Sequence, residues 1–338
     1  MTPYPAGLED AWLPVALSGQ LKRRPLARQI AGKPIVLFRG ADGAVTALED
    51  RCPHRNYPLS DGRVVEGTIQ CPYHGWRFDG SGACVALPGI AEAPDRKRLG
   101  AFRVDAAERH GAIFVRLAGD GSATEPELPP LIGDPDHDHF WWAKAPWQGR
   151  ALDALENILD PFHTNFVHDG LIRVSHRRQL VRQTITTEAR GFSVAYDQDA
   201  PDTGWMSRLL EGSRQRSVGR YLPPVAFQGR WEKADRLTLC ATAFFVPETQ
   251  DRFRPIGCWT TPKGRLPGWL KKQAILGFVR TVAEQDRRAL ERQHETLTAF
   301  GGPCFKSGPT DRLIAPLTRL YNGETLERGS DGPHAVWL

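Results

Sequence analysis

The sequence predicts an α+β protein of two domains. A small all-β domain at the N-terminus carries metal-binding loops, and a larger domain follows in which strands precede one long helix. Three observations predict this. Short β-type runs separated by Gly, Asp and Pro turns fill the first third of the chain. Two loops in that third each deliver one cysteine and one histidine, Cys52-Pro53-His54 and Cys71-Pro72-Tyr73-His74. The remainder mixes strand-like runs with a long amphipathic helix near its end.

Taken in order, the N-terminal strands are expected over 35–39, 44–48, 68–70 and 112–117, with Ala41-Asp42-Gly43 as a hairpin turn. A polar segment from Gly119 to Glu127, followed by Pro129-Pro130, marks the boundary. The expected division is therefore 1–125, with a core over 9–118, and 126–338. A helix is expected from Leu152 to Val167, then strands over 179–187, 192–196, 237–245 and 253–260. Pro267 opens a long helix to Thr298, around which the sheet is expected to curl. The Pro/Gly-rich stretch from Gly301 onward reads as irregular, a segment for packing on a neighbour.

The loops carry the first chemistry. Two thiolates and two imidazoles suit either a structural zinc or a [2Fe–2S] cluster in which two histidines replace two cysteines on one iron. Sixteen residues separate His54 from Cys71, and each loop supplies one ligand of each kind. In a zinc finger the cysteines usually form one knuckle and the histidines pair on a helix, so the interleaving favours the cluster, with a zinc ribbon as the alternative. Of the other cysteines, Cys84, Cys240, Cys258 and Cys304 show no pairing pattern and read as free thiols.

A second constellation lies at Glu156, Asp160, His163 and His168. The first three fall at i, i+4 and i+7, one face of a helix. His168 is about 140° further round an ideal helix, so for both histidines to reach one metal the helix must distort or end between them. Pro161 provides a cause. Two histidines with one carboxylate form the facial triad of non-haem Fe(II) oxygenases, which leaves positions open. Periodicity supplies the acid. On the long helix Ile275, Phe278, Val282 and Leu290 mark an apolar stripe, and the position due in that stripe between Val282 and Leu290 is Asp286. A buried acid is costly unless a cation or donor satisfies it. Glu284 falls off the stripe.

Composition bounds the rest. The 338 residues contain Lys+Arg 44 and Asp+Glu 39, a mild +5, with 41% hydrophobic residues. No basic run interleaved with aromatics suggests nucleic acid, and no window reaches the roughly twenty apolar residues of a membrane span. The N-terminus lacks the features of a signal peptide, so a cytoplasmic location is expected. No G-x-G-x-x-G opens a βαβ unit, so any NAD(P)H-linked reductase is expected as a partner.

Cys-x-His, a mid-length gap, then Cys-x-x-His followed by Gly75-Trp76, with Phe78-Asp79-Gly80-Ser81-Gly82 after it, resembles the Rieske signature. Asn157-x-x-Asp160-x-x-His163-x₄-His168, with Glu284-Gln285-Asp286 and Gln293 downstream, resembles the mononuclear-iron motif of Rieske non-haem iron oxygenases. The resemblance covers most of the chain. It implies a Rieske [2Fe–2S] domain, held by Cys52, His54, Cys71 and His74, fused to a helix-grip (START/Bet v 1-like) catalytic domain. It implies mononuclear Fe(II) at His163, His168 and Asp286, with Asn157 supporting the ligands from behind. It further implies a head-to-tail homotrimer, in which Asp160 bridges His163 and a neighbouring subunit's His74. Electrons would come from a ferredoxin or flavin reductase, and O₂ would react beside a hydrophobic small molecule. The length resembles α-only members, so hydroxylation or oxidative demethylation of an aromatic or polycyclic substrate is expected over cis-dihydroxylation. A Rieske-type electron carrier and a zinc-stabilised binding protein are the rival classes. Trp205, Met206, Tyr221, Phe227, Phe244 and Phe245 are candidates for a pocket and otherwise read as core. Arg173 and His176-Arg177-Arg178 are candidates for binding a substrate carboxylate, with a solvated or inter-subunit surface as the preferred reading.

Overall fold

Short apolar runs bounded by turns place the first strands. Lys33–Arg39 buries four consecutive residues, Ile35, Val36, Leu37 and Phe38, because both faces of that strand are covered. The computed structural model describes residues 2–90, 94–118, 125–176, 178–198, 215–264 and 266–338. The chain divides into two compact units, one of Glu9–Leu128 with Val246–Thr249 and one of Met1–Leu8, Pro129–Phe245 and Gln250–Leu338.

The smaller unit holds a six-stranded antiparallel sheet, in the order Leu13–Leu17, Ala112–Arg116, Arg103–Arg109, Val45–Glu49, Lys33–Arg39, Leu26–Ile30. A second sheet of four short strands runs Arg63–Val65, Thr68–Gln70, Arg77–Phe78, Cys84–Ala86. The two Cys/His loops flank the middle of this small sheet. Phe78 and Ile69 beneath them are fully buried together with Leu59 and Cys84.

The larger unit is built on a nine-stranded antiparallel sheet. Its path runs His137–Ala143, Arg252–Pro262, Arg236–Thr249, Ala226–Lys233, Arg216–Leu222, Gly191–Asp197, Leu180–Glu188, Gly329–Trp337, and Trp147–Gln148 pairs off it with Arg252–Pro262. The helix Gly268–Ala299 packs against the strands at the His137–Ala143 end, and the helix Ala151–Leu159 against Arg216–Leu222 and Ala226–Lys233. Ile275, Val279, Ala283 and Leu290 of the long helix join Leu155, Phe192, Tyr221 and Phe253 in one core.

Three expectations need correction. The helix expected to reach Val167 ends at Leu159, and a separate 3₁₀ turn covers Phe162–Asn165. Pro161 and the extended backbone of Asp160 (φ −88°, ψ 113°) account for the break. The stretch after Gly301 contains a helix, Ile314–Tyr321, that buries Leu317, Leu320 and Tyr321, and a strand, Gly329–Trp337, paired with Leu180–Glu188. That strand lies at the sheet edge and is largely exposed, so it carries no apolar alternation, and its Pro333 is of a kind edges tolerate. The Gly-containing strands Arg216–Leu222 and Ala226–Lys233 went unexpected for a related reason, since glycine lowers the strand signal.

Candidate metal centres

The two Cys/His loops are tight turns closed by their own backbone. Asn56 N–H donates to the Cys52 carbonyl (2.8 Å), and Gly75 N–H donates to the Cys71 carbonyl (3.0 Å). Asn56 and Gly75 take φ of 58° and 74°, the left-handed region that lets each loop reverse. A Cβ at Gly75 would also lie 2.8 Å from Pro88 Cγ. Cys52 and Cys71 are each 2% exposed. Burial pushes the Cys52 thiol up to about 11, and the neighbouring Cys71 thiol adds to the effect. The rings of His54 and His74 meet edge to face at 4.6 Å between centroids, and the Trp76 indole stacks on His54 at 4.5 Å. Thiol thus sits with thiol and imidazole with imidazole. His54 Nδ1 is buried and has no hydrogen-bond partner. An orphaned imidazole nitrogen beside two buried thiols fits a bound metal cluster, which would satisfy the nitrogen and stabilise both thiolates.

The second centre forms across the helix break. Because the helix stops at Leu159, His163 rides on the 3₁₀ turn and His168 on the loop beyond it, and both rings face the long helix. His163 Nε2 lies 3.6 Å and His168 Nε2 3.1 Å from Asp286 Oδ1. One ligand atom from each of the three falls within 4.8 Å of the others, the one such group among the described residues. The remaining nitrogens are tied down. His163 Nδ1–H donates to the Asp160 carbonyl (2.5 Å) and His168 Nδ1–H to Gln285 Oε1 (2.8 Å), which leaves both Nε2 lone pairs for a metal. Asn157 Nδ2 donates to Asp286 Oδ1 at 3.1 Å. Burial lowers the pKa of His163. Burial also opposes charge on His168, but its hydrogen bond and charge interaction with Asp286 outweigh that and raise it. Burial would raise Asp286 too, yet the two histidines and Asn157 hold its carboxyl below the usual carboxylate range. Two imidazole Nε2 atoms and one carboxylate, with the far side open to a cavity, fit a divalent iron of the facial-triad type.

The cavity encloses about 240 Å³ and reaches His163, His168 and Asp286. Its walls are mostly aromatic and aliphatic, including Trp142, Trp147, Phe227, Trp231, Phe245 and Trp259. Of the residues expected to line a pocket, Phe227 and Phe245 do. Tyr221 and Phe244 are buried in the core away from it, and Trp205 and Met206 lie outside the described residues. Arg173, expected at a solvated surface, is 5% exposed and lines the cavity. Arg178 instead caps the exposed Phe166 ring at 4.9 Å, and Arg177 lies outside the described residues. The four tryptophans were not foreseen. They sit on strands whose spacing signals β-structure, while their convergence depends on which strands pair. Phe278, Val282 and Asp286 also line the cavity, so the stripe read from the long helix serves cavity and core together.

Asp160 is joined to His163 through its main-chain carbonyl, while its carboxylate accepts the Phe162 N–H (2.9 Å). Burial pushes that carboxyl up to about 6. Glu284 pairs with Arg287 and Arg288 instead of joining the centre.

Comparison with known proteins identifies a domain family for each part of the chain. The Rieske [2Fe-2S] domain model matches residues 11–102, and the vanillate O-demethylase oxygenase C-terminal domain model matches residues 147–312. Dicamba O-demethylase, oxygenase component, of Stenotrophomonas maltophilia is 36% identical over 211 residues, 61% of this chain and 61% of that protein. Methylxanthine N1-demethylase NdmA of Pseudomonas putida is 32% identical over 180 residues, 49% of this chain and 48% of that protein. The chain therefore spans about half to three fifths of the length of these curated relatives. The crystal structure of dicamba monooxygenase bound to dicamba shares the fold with a TM-score of 0.75 at 22% identity, covering 93% of this chain and 97% of that one.

Proposed function

As a member of the Rieske non-haem iron oxygenases, joining a Rieske [2Fe–2S] domain to an oxygenase C-terminal domain in one polypeptide, the chain is, we propose, the terminal oxygenase component of a multicomponent system. It hydroxylates or oxidatively demethylates an aromatic or polycyclic substrate, with O₂ as oxidant and electrons from an NAD(P)H-linked reductase, directly or through a ferredoxin. The observation that carries the reading is the His163/His168/Asp286 group opening onto an aromatic-walled cavity. An electron carrier has no use for such a cavity, and two demethylases among the relatives favour demethylation.

Iron held by His163, His168 and Asp286 would supply O₂ activation, and the cluster held by Cys52, His54, Cys71 and His74 would supply electrons. The chain's own residues prepare that chemistry. Gln285 and the Asp160 carbonyl fix both imidazole tautomers. Asn157 donates to the Asp286 oxygen and holds that carboxylate in place. The indoles of Trp142, Trp147, Trp231 and Trp259 exclude water and orient a flat, apolar substrate beside the open face. Asp160 links His163 to the cluster of a neighbouring subunit in a homotrimer, and the enzyme works in the cytoplasm. Among the described residues no helix is long and apolar enough to cross a membrane.

The test is substrate-dependent O₂ uptake with a surrogate reductase over methoxylated, N-methylated and polycyclic aromatics, with formaldehyde release marking demethylation. Cluster-replete, iron-replete protein that consumes no O₂ with any of them would contradict the reading. Light scattering of the same preparation checks the trimer.

A further inference from the structure

One wall of the cavity is a regular grid. On three adjacent strands Ser217 pairs with Trp231 and Trp231 with Leu239. One step along, Gly219 pairs with Gly229 and Gly229 with Ala241. One step further, Phe227 pairs with Ala243 on one side and on the other with Tyr221, which lies outside the cavity lining. The middle row is therefore glycine, glycine, alanine, between a row containing Trp231 and a row containing Phe227.

Backbone conformation does not call for these glycines. Neither Gly219, Gly229 nor Gly257 has a positive φ, and glycine within a strand weakens it. Space does call for them. A Cβ at Gly229 would lie 2.9 Å from Phe227 Cζ and 2.9 Å from Trp231 Cη2. A Cβ at Gly219 would lie 3.1 Å from Phe227 Cε2. On the neighbouring strand Arg252–Pro262, a Cβ at Gly257 would lie 2.4 Å from Trp259 Cζ3 and 2.6 Å from Trp259 Cη2. Phe227, Trp231 and Trp259 thus lie back over the main chain of glycines instead of standing up into the cavity. Trp142, paired with Gly257, meets the reclined Trp259 ring edge to face at 6.2 Å.

We propose that Gly219, Gly229 and Gly257 are specificity-determining residues, which hold the cavity open for a planar two-ring aromatic substrate by letting three aromatic rings recline against the sheet. The proposal rests on the reading of this cavity as the substrate site. A methyl group at position 229 or 257 pushes against ring tips, which can swing, and not against backbone. The fold therefore survives, and the rings rise into the space that the second ring of a substrate would occupy. With the rings down, the cavity of about 240 Å³ exceeds the volume of two fused six-membered rings.

The experiment titrates the holoprotein with anisole as a one-ring probe and 2-methoxynaphthalene as a two-ring probe, following tryptophan fluorescence. The wild type binds both. Gly229→Ala and Gly257→Ala each weaken 2-methoxynaphthalene about tenfold or more and change anisole less than about twofold. Adding Phe227→Ala to Gly229→Ala removes one displaced ring and recovers two-ring binding. Equal weakening of both probes, no weakening of either, or a wild type that ignores the two-ring probe overturns the proposal. So does unfolding of either single variant, seen as loss of the thermal transition and cluster absorption, because the rings would then have had nowhere to move. The titration needs no turnover, so it can fail while O₂ uptake succeeds, and the reverse.

Discussion

His163 and His168 each commit one ring nitrogen to an oxygen acceptor, and that commitment is what makes them ligands in waiting. The acceptors differ. One is a main-chain carbonyl that any residue at position 160 would supply, and the other is the side chain of Gln285. Gln285→Leu should therefore weaken retention of the mononuclear iron about 10- to 100-fold, by metal analysis after dialysis, while Asp160→Asn leaves iron content near wild type. Asp286 is the stronger test. Asp286→Ala should lose mononuclear iron and turnover while the visible and EPR spectrum of the cluster survives, and an active, iron-replete variant would sink the ligand assignment. Position 286 was legible in the sequence because it breaks an apolar stripe. Gln285 and Asn157 could be placed near the centre only through resemblance, since a polar residue beside a metal ligand has no periodic signature of its own. Arg173 was misread because a loop arginine is usually solvated, and only the fold brings that one inside.

At the scale of elements, the break after Leu159 decides the iron centre. On an unbroken helix His163 and His168 would diverge by about 140°. The carboxylate of Asp160 accepting from Phe162 N–H, followed by Pro161, stops the helix and starts the turn that carries His163. The helix before the break is an anchor. Leu155 is 0% exposed in the main core, so Leu155→Ala should cost about 2–5 kcal/mol by thermal or denaturant unfolding. Because that helix leads into both ligands, the same variant should also retain iron less well. The long helix was the most legible element, expected to run from Pro267 to Thr298 and found over Gly268–Ala299. Its periodicity extends over many turns, which averages out local noise. The edge strand Gly329–Trp337 was illegible because it is exposed on most of its length, so no buried face writes a pattern into it.

For the whole molecule, the two centres should respond differently to a ferrous chelator. Cys52 and Cys71 are almost wholly buried and bound twice over by their loops, whereas the His163/His168/Asp286 group faces an open cavity. Chelation should strip the mononuclear iron and abolish turnover while the reddish-brown cluster absorption persists, and added Fe(II) should restore activity. If the colour fades in step with activity, the chemistry resides in the cluster loops alone. By itself the sequence pointed to the candidate donor sets, Cys52/His54/Cys71/His74 through ligand type and short-range spacing, and His163/His168/Asp286 through a motif and an interrupted apolar stripe. It also determined that a β domain precedes strands and a long helix, since periodicity reports which residues are buried. The tertiary structure alone decided where the helix breaks, that Gln285 accepts from His168 and Asn157 donates to Asp286, and that Trp142, Trp147, Trp231 and Trp259 face one cavity. It also set glycines beneath the reclined rings of Phe227, Trp231 and Trp259. These are facts of strand order and register. Residues far apart in sequence meet only after the sheet has paired, and no local pattern records which partners they will find.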